Sequence, residues 1–311
     1  MRIFDLHADI GSDVLNQHHL GKDNVLLTRH SDKCLKGEVS AIAMASFFSG
    51  KETYEEMQEM ILTLENELEH QNVWQRVLSG NDLKSDRPLA LMSVEGMCGI
   101  KENECEAIEW MYKHGIRLAS LCWNEENALA SGVKGNPDHG LSEMGRNVIS
   151  KMDQLHMVID VSHANEKTFW DILDCSKGFV IATHSNAYTL CNHPRNLKDE
   201  QIRAIAAKGG LIGMNSCAYF IDHDLTKVNV DALAKHAAYI KNLVGIDHLA
   251  CGFDFMDFFG EEDADYIIND MKDASYAQNF IQALKNNHFS DCEIKKIAYQ
   301  NVIDRFSQYL R

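Results

Sequence analysis

The chain opens with Ile3-Phe4-Asp5-Leu6-His7-Ala8-Asp9, an apolar run of strand length that stops at His-x-Asp. A spacing of two in an extended chain puts both side chains on the same side. The same construction recurs downstream. Val94 leads into Glu95-Gly96, Val161 into Ser162-His163, Thr183 into His184-Ser185, and Gly252-Phe253 into Asp254. Imidazoles and carboxylates stand where the apolar runs stop.

Eight such runs predict strands: Ile3–Ala8, Val39–Phe47, Leu89–Val94, Ile116–Leu121, Met157–Ser162, Phe179–Thr183, Gly210–Asn215 and His248–Phe253. Several are continuous apolar blocks, the pattern of parallel strands covered on both faces. Between them the periodicity predicts helices over Thr53–Leu78, Ala107–His114, Ser142–Leu155, Lys167–Leu173, Asp199–Lys208, Val230–Leu243, Ser275–Asn286 and Glu293–Leu310. Ser142 and Asn165 are placed to cap two of these. Strand then helix, repeated eight times, is the rhythm of an α/β (β/α)8 TIM barrel. A doubly wound open sheet shares the alternation, but no Gly-x-Gly-x-x-Gly follows the first strand and no Walker sequence is present. Residues 1–311 therefore read as a single barrel domain. Its widest irregular stretches, Gly11–Glu38, Asn124–Leu141 and Asp254–Asp270, each follow a strand, where a barrel keeps its functional loops.

Composition narrows the classes. No apolar run approaches the ~20 residues of a membrane span, and Met1-Arg2-Ile3 shows no secretory pattern. A net charge of −16 repels phosphate backbones and argues against nucleic acid as partner. Nine cysteines, an odd number with no Cys-x-x-Cys, read as reduced residues of a cytoplasmic protein. Cys122, Cys217 and Cys251 lie in or beside apolar runs, where cysteine acts as a small hydrophobe.

The strand-end set His7, Asp9, Glu95, His163, His184 and Asp254 offers nitrogen and oxygen donors suited to borderline metals, zinc first. One carboxylate can bridge two metals, leaving a His-Asp and a His-His pair. Two metals ~3.5–4 Å apart can hold a bridging hydroxide and polarise a carbonyl. Proton delivery to a leaving amine needs a further group, and Asp254 is the candidate. Singly, each residue has a plainer reading: Glu95 as a loop opener, Asp9 as a helix cap, Asp254 as a turn residue. The joint pattern, five of eight predicted strands ending in a ligand-type residue, favours the metal reading. His18, His19, His70 and His236 stay with structural roles.

These residues resemble the renal (membrane) dipeptidase family of binuclear zinc peptidases, an amidohydrolase-type barrel. The likeness runs over nearly the whole chain, through Asp5–Asp9, Ser93–Gly96, Gly140-Leu141-Ser142, Ile159–Ala164, Thr183–Ala187, Pro194-Arg195-Asn196 and Gly252–Phe255, to Gln300–Arg305. It implies a dipeptidase with two Zn2+ per chain: His7 and Asp9 on one, His163 and His184 on the other, and Glu95 bridging. It implies Asp254 as catalytic acid/base and Arg195, eleven residues after His184, as the grip on the substrate's carboxylate. A guanidinium gives a carboxylate a bidentate fork. Tolerance of a C-terminal D-residue and a homodimeric state are further implications. One departure stands out: better-known members carry a histidine where this chain has Trp123, an indole N–H donor without acid/base capacity. The metals would then stabilise more of the oxyanion, or the substrate range would differ. A plain core tryptophan is the other reading.

Two alternatives compete with the dipeptidase. Another metal-dependent amidohydrolase, such as a deaminase or cyclic amide hydrolase, is one. Many cyclic amidases bridge their metals through a modified lysine on strand four; this strand four has none, whereas Glu95 on strand three is available. A non-catalytic binding barrel is the other, with Trp123 as its support, yet all six donor positions are retained.

Overall fold

The first apolar run forms β1 (Ile3–Ala8), buried along its whole length as a strand covered on both faces must be. The structure, a computed structural model, describes residues 1–260 and 266–311. The further strands are β2 (Val39–Phe47), β3 (Gln75–Arg76), β4 (Leu89–Glu95), β5 (Ile116–Ser120), β6 (Val158–Asp160), β7 (Val180–Ile181), β8 (Ile212–Met214) and β9 (Leu249–Cys251). The sheet order is β7-β6-β5-β4-β2-β1-β9-β8, with β3 added on β4. Ala182, just past β7, bridges in parallel to Ile212 of β8, so the row returns on itself. The result is a nearly closed parallel barrel of the (β/α)8 type.

By packing, the chain divides into two compact units. One comprises Met1–Ala8, Leu26–Ile42 and Ala182–Arg305; the other comprises Asp9–Val25, Ala43–Ile181 and Phe306–Arg311. In the first, β8 and β9 run side by side, and helices α7 (Asp199–Ala207), α8 (Val230–Val244) and α9 (Gln278–Asn286) pack in succession. Two glycines allow a close approach here. A Cβ at Gly213 or Gly252 would lie 1.8 or 1.7 Å from the Thr183 carbonyl oxygen, so only glycine fits.

In the second unit, α1 (Ile10–His19) packs on α3 (Tyr54–Glu69), and α5 (Glu143–Gln154) lies between α4 (Glu104–Lys113) and α6 (Glu166–Cys175). The two anticipated caps are in place. Ser142 accepts the Gly145 N–H and Asn165 accepts the Thr168 N–H. Thr53 and Glu56 add a reciprocal capping box on α3.

Several boundaries differ from the sequence reading. The helix expected over Thr53–Leu78 stops at Glu69. Gln71 turns the chain: its side chain accepts from the Val73 and Trp74 N–H groups and donates to the Leu68 and Trp74 carbonyls. The stretch Gly11–Glu38, expected to be irregular, is mostly helical: α1, a π-helical turn Leu26–Ser31, and α2 (Asp32–Lys36). Its polar C-terminal half masks the short buried face of Ile10, Val14 and Leu15. The expected helix Glu293–Leu310 is interrupted: α10 (Asp291–Lys295), a π-helical turn Lys296–Gln300, then α11 (Asn301–Tyr309). Of the expected loop Asp254–Asp270, residues 261–265 lie outside the described residues.

Candidate active site

Polar side chains sit at the carboxyl ends of the strands because each apolar run ends there and the chain turns out. In the first unit, His7 is the penultimate residue of β1 and His184 follows the β7 run. Both are almost fully buried, and their rings lie 3.9 Å apart. Thr183 Oγ1 sits 2.7 Å from His184 Nδ1, which fixes the ring's orientation. His7 Nε2 is 3.8 Å from Asp254 Oδ1.

Asp254 holds a left-handed backbone, φ +59°. That conformation is uncommon for a residue with a Cβ, and it concentrates at functional sites. The bonds around it explain why it persists. Asp254 N–H donates to the His7 carbonyl at 3.2 Å, and the preceding Phe253 N–H donates to Asp5 Oδ1 at 2.8 Å. Asp5 Oδ1 also accepts the His7 N–H at 3.3 Å. One buried carboxyl thus ties the backbone at His7 to the backbone before Asp254. Burial outweighs these bonds and pushes the Asp5 carboxyl up to about 7.

Arg195 lies in the loop between β7 and α7 and is 4% exposed. Its Nη2 donates to the His184 carbonyl at 3.4 Å, and its guanidinium lies 5.5 Å from the Phe220 ring centroid. A buried guanidinium beside a histidine suited to bind metal is placed to meet an anion.

In the second unit, Glu95 ends β4 with Oε1 2.9 Å from His163 Nε2. His163 Nδ1 is 3.0 Å from Asn124 Oδ1. With the Asn124 amide oxygen as acceptor, Nδ1 is the proton-bearing atom and Nε2 is left with its lone pair for a metal. Gly96, at φ +83°, makes the turn after Glu95, and its N–H donates to Ser120 Oγ at 3.0 Å. Trp123 is half-buried, edge-on to Phe47 at 5.0 Å and 6.0 Å from the His163 ring. Asp9 stands at the N-cap position of α1, but its carboxylate does not cap the helix. That leaves a buried carboxylate, a ligand type for a divalent metal, two residues along the chain from His7.

Imidazole nitrogens and carboxylate oxygens, nearly all buried, are the donors a borderline divalent metal takes. The residues present therefore fit a metal: among the described residues a His/Glu/Asp cluster able to hold one is in place. The other histidines named in the sequence have local partners. His18 pairs with Glu67, His19 with Glu59, His70 with the Asn66 carbonyl, and His236 bridges the Ala187 N–H and the Ile221 carbonyl. Sequence reasoning gives no separate role to Asp5, Asn124, Thr183 and Asn215: three are uncharged, and Asp5 reads only as part of the Asp5–Asp9 run.

Residues 1–308 match the membrane dipeptidase family, peptidase family M19. The chain belongs to that family. It is thereby a metal-dependent peptide hydrolase that acts on dipeptides. A Klebsiella pneumoniae protein, described as lying in the pqqA 5′ region, is 33% identical over 228 residues, 70% of this chain and 81% of that one. Dipeptidase tcpJ of Claviceps purpurea is 28% identical over 222 residues, 71% of this chain and 51% of its own length. Among solved structures, a metallopeptidase from Rhodobacter sphaeroides, bound to a phosphinate mimic of L-Ala-D-Ala, superposes with TM-score 0.86 at 20% identity. The match covers 100% of this chain and 99% of that one. Dipeptidase AC of family M19 gives the same TM-score at 19% identity, with the same coverage. These two share the fold. Among the described residues, no helix is long and apolar enough to cross a membrane.

Proposed function

We propose that the chain is a binuclear zinc dipeptidase, with His7 and Asp9 on one ion, His163 and His184 on the other, and Glu95 shared. The observation that carries this reading is the buried donor set at the strand ends, above all Glu95 against His163 at 2.9 Å. When bound, zinc supplies Lewis-acid polarisation of the scissile carbonyl and an activated water.

The protein's own side chains do the rest. Arg195 binds the substrate's free carboxylate and fixes its distance from the strand ends, which restricts the substrate to two residues. Asp254 takes a proton on its carboxylate and delivers it to the departing amine nitrogen. Asn124 holds His163 in one tautomer. Trp123 presents an aromatic wall and an indole N–H to the substrate. In the family resemblance a histidine stands at that position, so this chain gives up one acid/base group and gains apolar surface. A D-residue at the C-terminal position is accepted, since the carboxylate rather than the side chain is gripped.

The same reading describes a single hydrolase domain, a homodimer, and a cytoplasmic location. Nine cysteines without a Cys-x-x-Cys, six of them buried, support a reducing compartment. The test is release of free amino acids from a panel of L,L and L,D dipeptides by protein stripped of metal and by protein resupplied with zinc. Zinc-dependent release is expected. No release from any member, with metal bound, refutes the reading.

A further inference from the structure

β8 ends at Met214, and the next residue, Asn215, is wholly buried. Every polar atom of this residue is used. Oδ1 accepts the Cys217 N–H at 2.6 Å. That bond settles the amide's orientation and makes the other terminal atom the NH2 group. Nδ2 donates to Asp254 Oδ2 at 3.2 Å and faces the His184 carbonyl at 3.4 Å. On the main chain, Asn215 N–H donates to Asn186 Oδ1 at 3.1 Å, and Asn186 Nδ2 donates to the Asn215 carbonyl at 2.9 Å. The reciprocal pair locks the segment in place.

Two consequences follow from these contacts. The Asp254 carboxylate has one oxygen held by Asn215 while the other faces His7. The His184 carbonyl accepts from both Asn215 Nδ2 and Arg195 Nη2. Asn215 is therefore joined to the proton carrier directly and to the carboxylate grip through one shared acceptor. The next residue reinforces this: Ser216 N–H and Oγ both donate to the Phe253 carbonyl, at 2.9 and 2.6 Å, and pin the peptide ahead of the left-handed Asp254.

We propose that Asn215 is a positioning residue for catalysis, setting the direction of the Asp254 carboxylate relative to the metal-ligand histidines and to Arg195. An amide suits this task. It donates a hydrogen bond without carrying a charge, so it orients the carboxylate but leaves it basic. A lysine or arginine there would hold Asp254 as a permanent ion pair and weaken it as a proton carrier. The inference rests on the dipeptidase reading of Asp254.

The test is a double-mutant cycle on the zinc-loaded protein. Asn215→Asp is isosteric and keeps the acceptor for the Cys217 N–H. It replaces the donor facing Asp254 with an oxygen. We expect kcat on a dipeptide to fall by about 10²-fold, with KM within about threefold and zinc content unchanged. In an Asp254→Asn background, Asn215→Asp should cost no further kcat. Its thermal midpoint, lowered in the single variant, should recover there, because the amide introduced at position 254 can donate to the new carboxylate. Should Asn215→Asp fail to fold, Asn215→Ala takes its place, and loss of kcat in the wild-type background but none in Asp254→Asn remains the expected result. An equal loss of kcat in both backgrounds makes Asn215 merely structural and overturns the inference. Wild-type kcat in the variant also overturns it while the dipeptidase reading stands. A wild-type protein that cleaves no dipeptide overturns both.

Discussion

On the proposed reading, Asp254 and Arg195 divide the labour of the site, one toward the leaving amine and the other toward the substrate's free end. Asp254→Asn keeps the side chain's size and should keep fold and zinc, while kcat falls by roughly 10²-fold or more. Rates at the wild-type level would remove Asp254 as proton carrier. Arg195→Ala should raise KM for dipeptides and erase the preference for a free over an amidated C-terminus. A preference that survives the change would place the carboxylate grip elsewhere. The residues proposed for this chemistry stood out in the sequence because most interrupt an apolar run with a ligand-type side chain, as Glu95 and His163 do. Asn124 and Asn215 were not. An amide after a strand looks like any loop residue, and its role arises only when folding sets it against His163 or Asp254.

Among the elements, the eight strands of the main row were legible, whereas β3, inside the expected helix Thr53–Leu78, and the α1 region were not. Continuous apolar blocks such as Leu89–Val94 have few other uses, and β4 covers that run and extends it by Glu95. Ile10–His19 has no conspicuous apolar stripe and buries Ser12 and Asp13 along with its aliphatics, so its periodicity is faint. The helix α10 carries a pH-dependent contribution. Glu293 caps it with Ser290 and pairs with Lys241, and these bonds hold its carboxyl down at about 2. The folded value lies below the unfolded one, so the stability it adds is present above pH ~4.3 and is lost as pH falls through about 2. Glu293→Gln retains the cap and removes the charge. It should cost about 0.5 kcal/mol at pH 7 in a denaturant titration, with the gap to wild type closing at acid pH. A gap independent of pH would mean that the pair contributes nothing. At the end of β9, Gly252→Ala drives a methyl into the Thr183 carbonyl and should lower the thermal midpoint sharply or prevent folding. A neutral substitution would show that the strands can part there without cost.

At the scale of the whole molecule, a chain of net charge −16 gathers buried carboxylates at its strand ends and keeps Arg195 buried as a local cation. That arrangement makes a bound cation part of the protein's stability as well as its chemistry. Chelation should lower the thermal midpoint, and zinc should restore it. The most direct test of the account titrates zinc into stripped protein while following both dipeptide hydrolysis and metal content. The account predicts hydrolysis that rises with zinc and levels off at two ions per chain. Full activity in the stripped protein, or none with two ions bound, would contradict it.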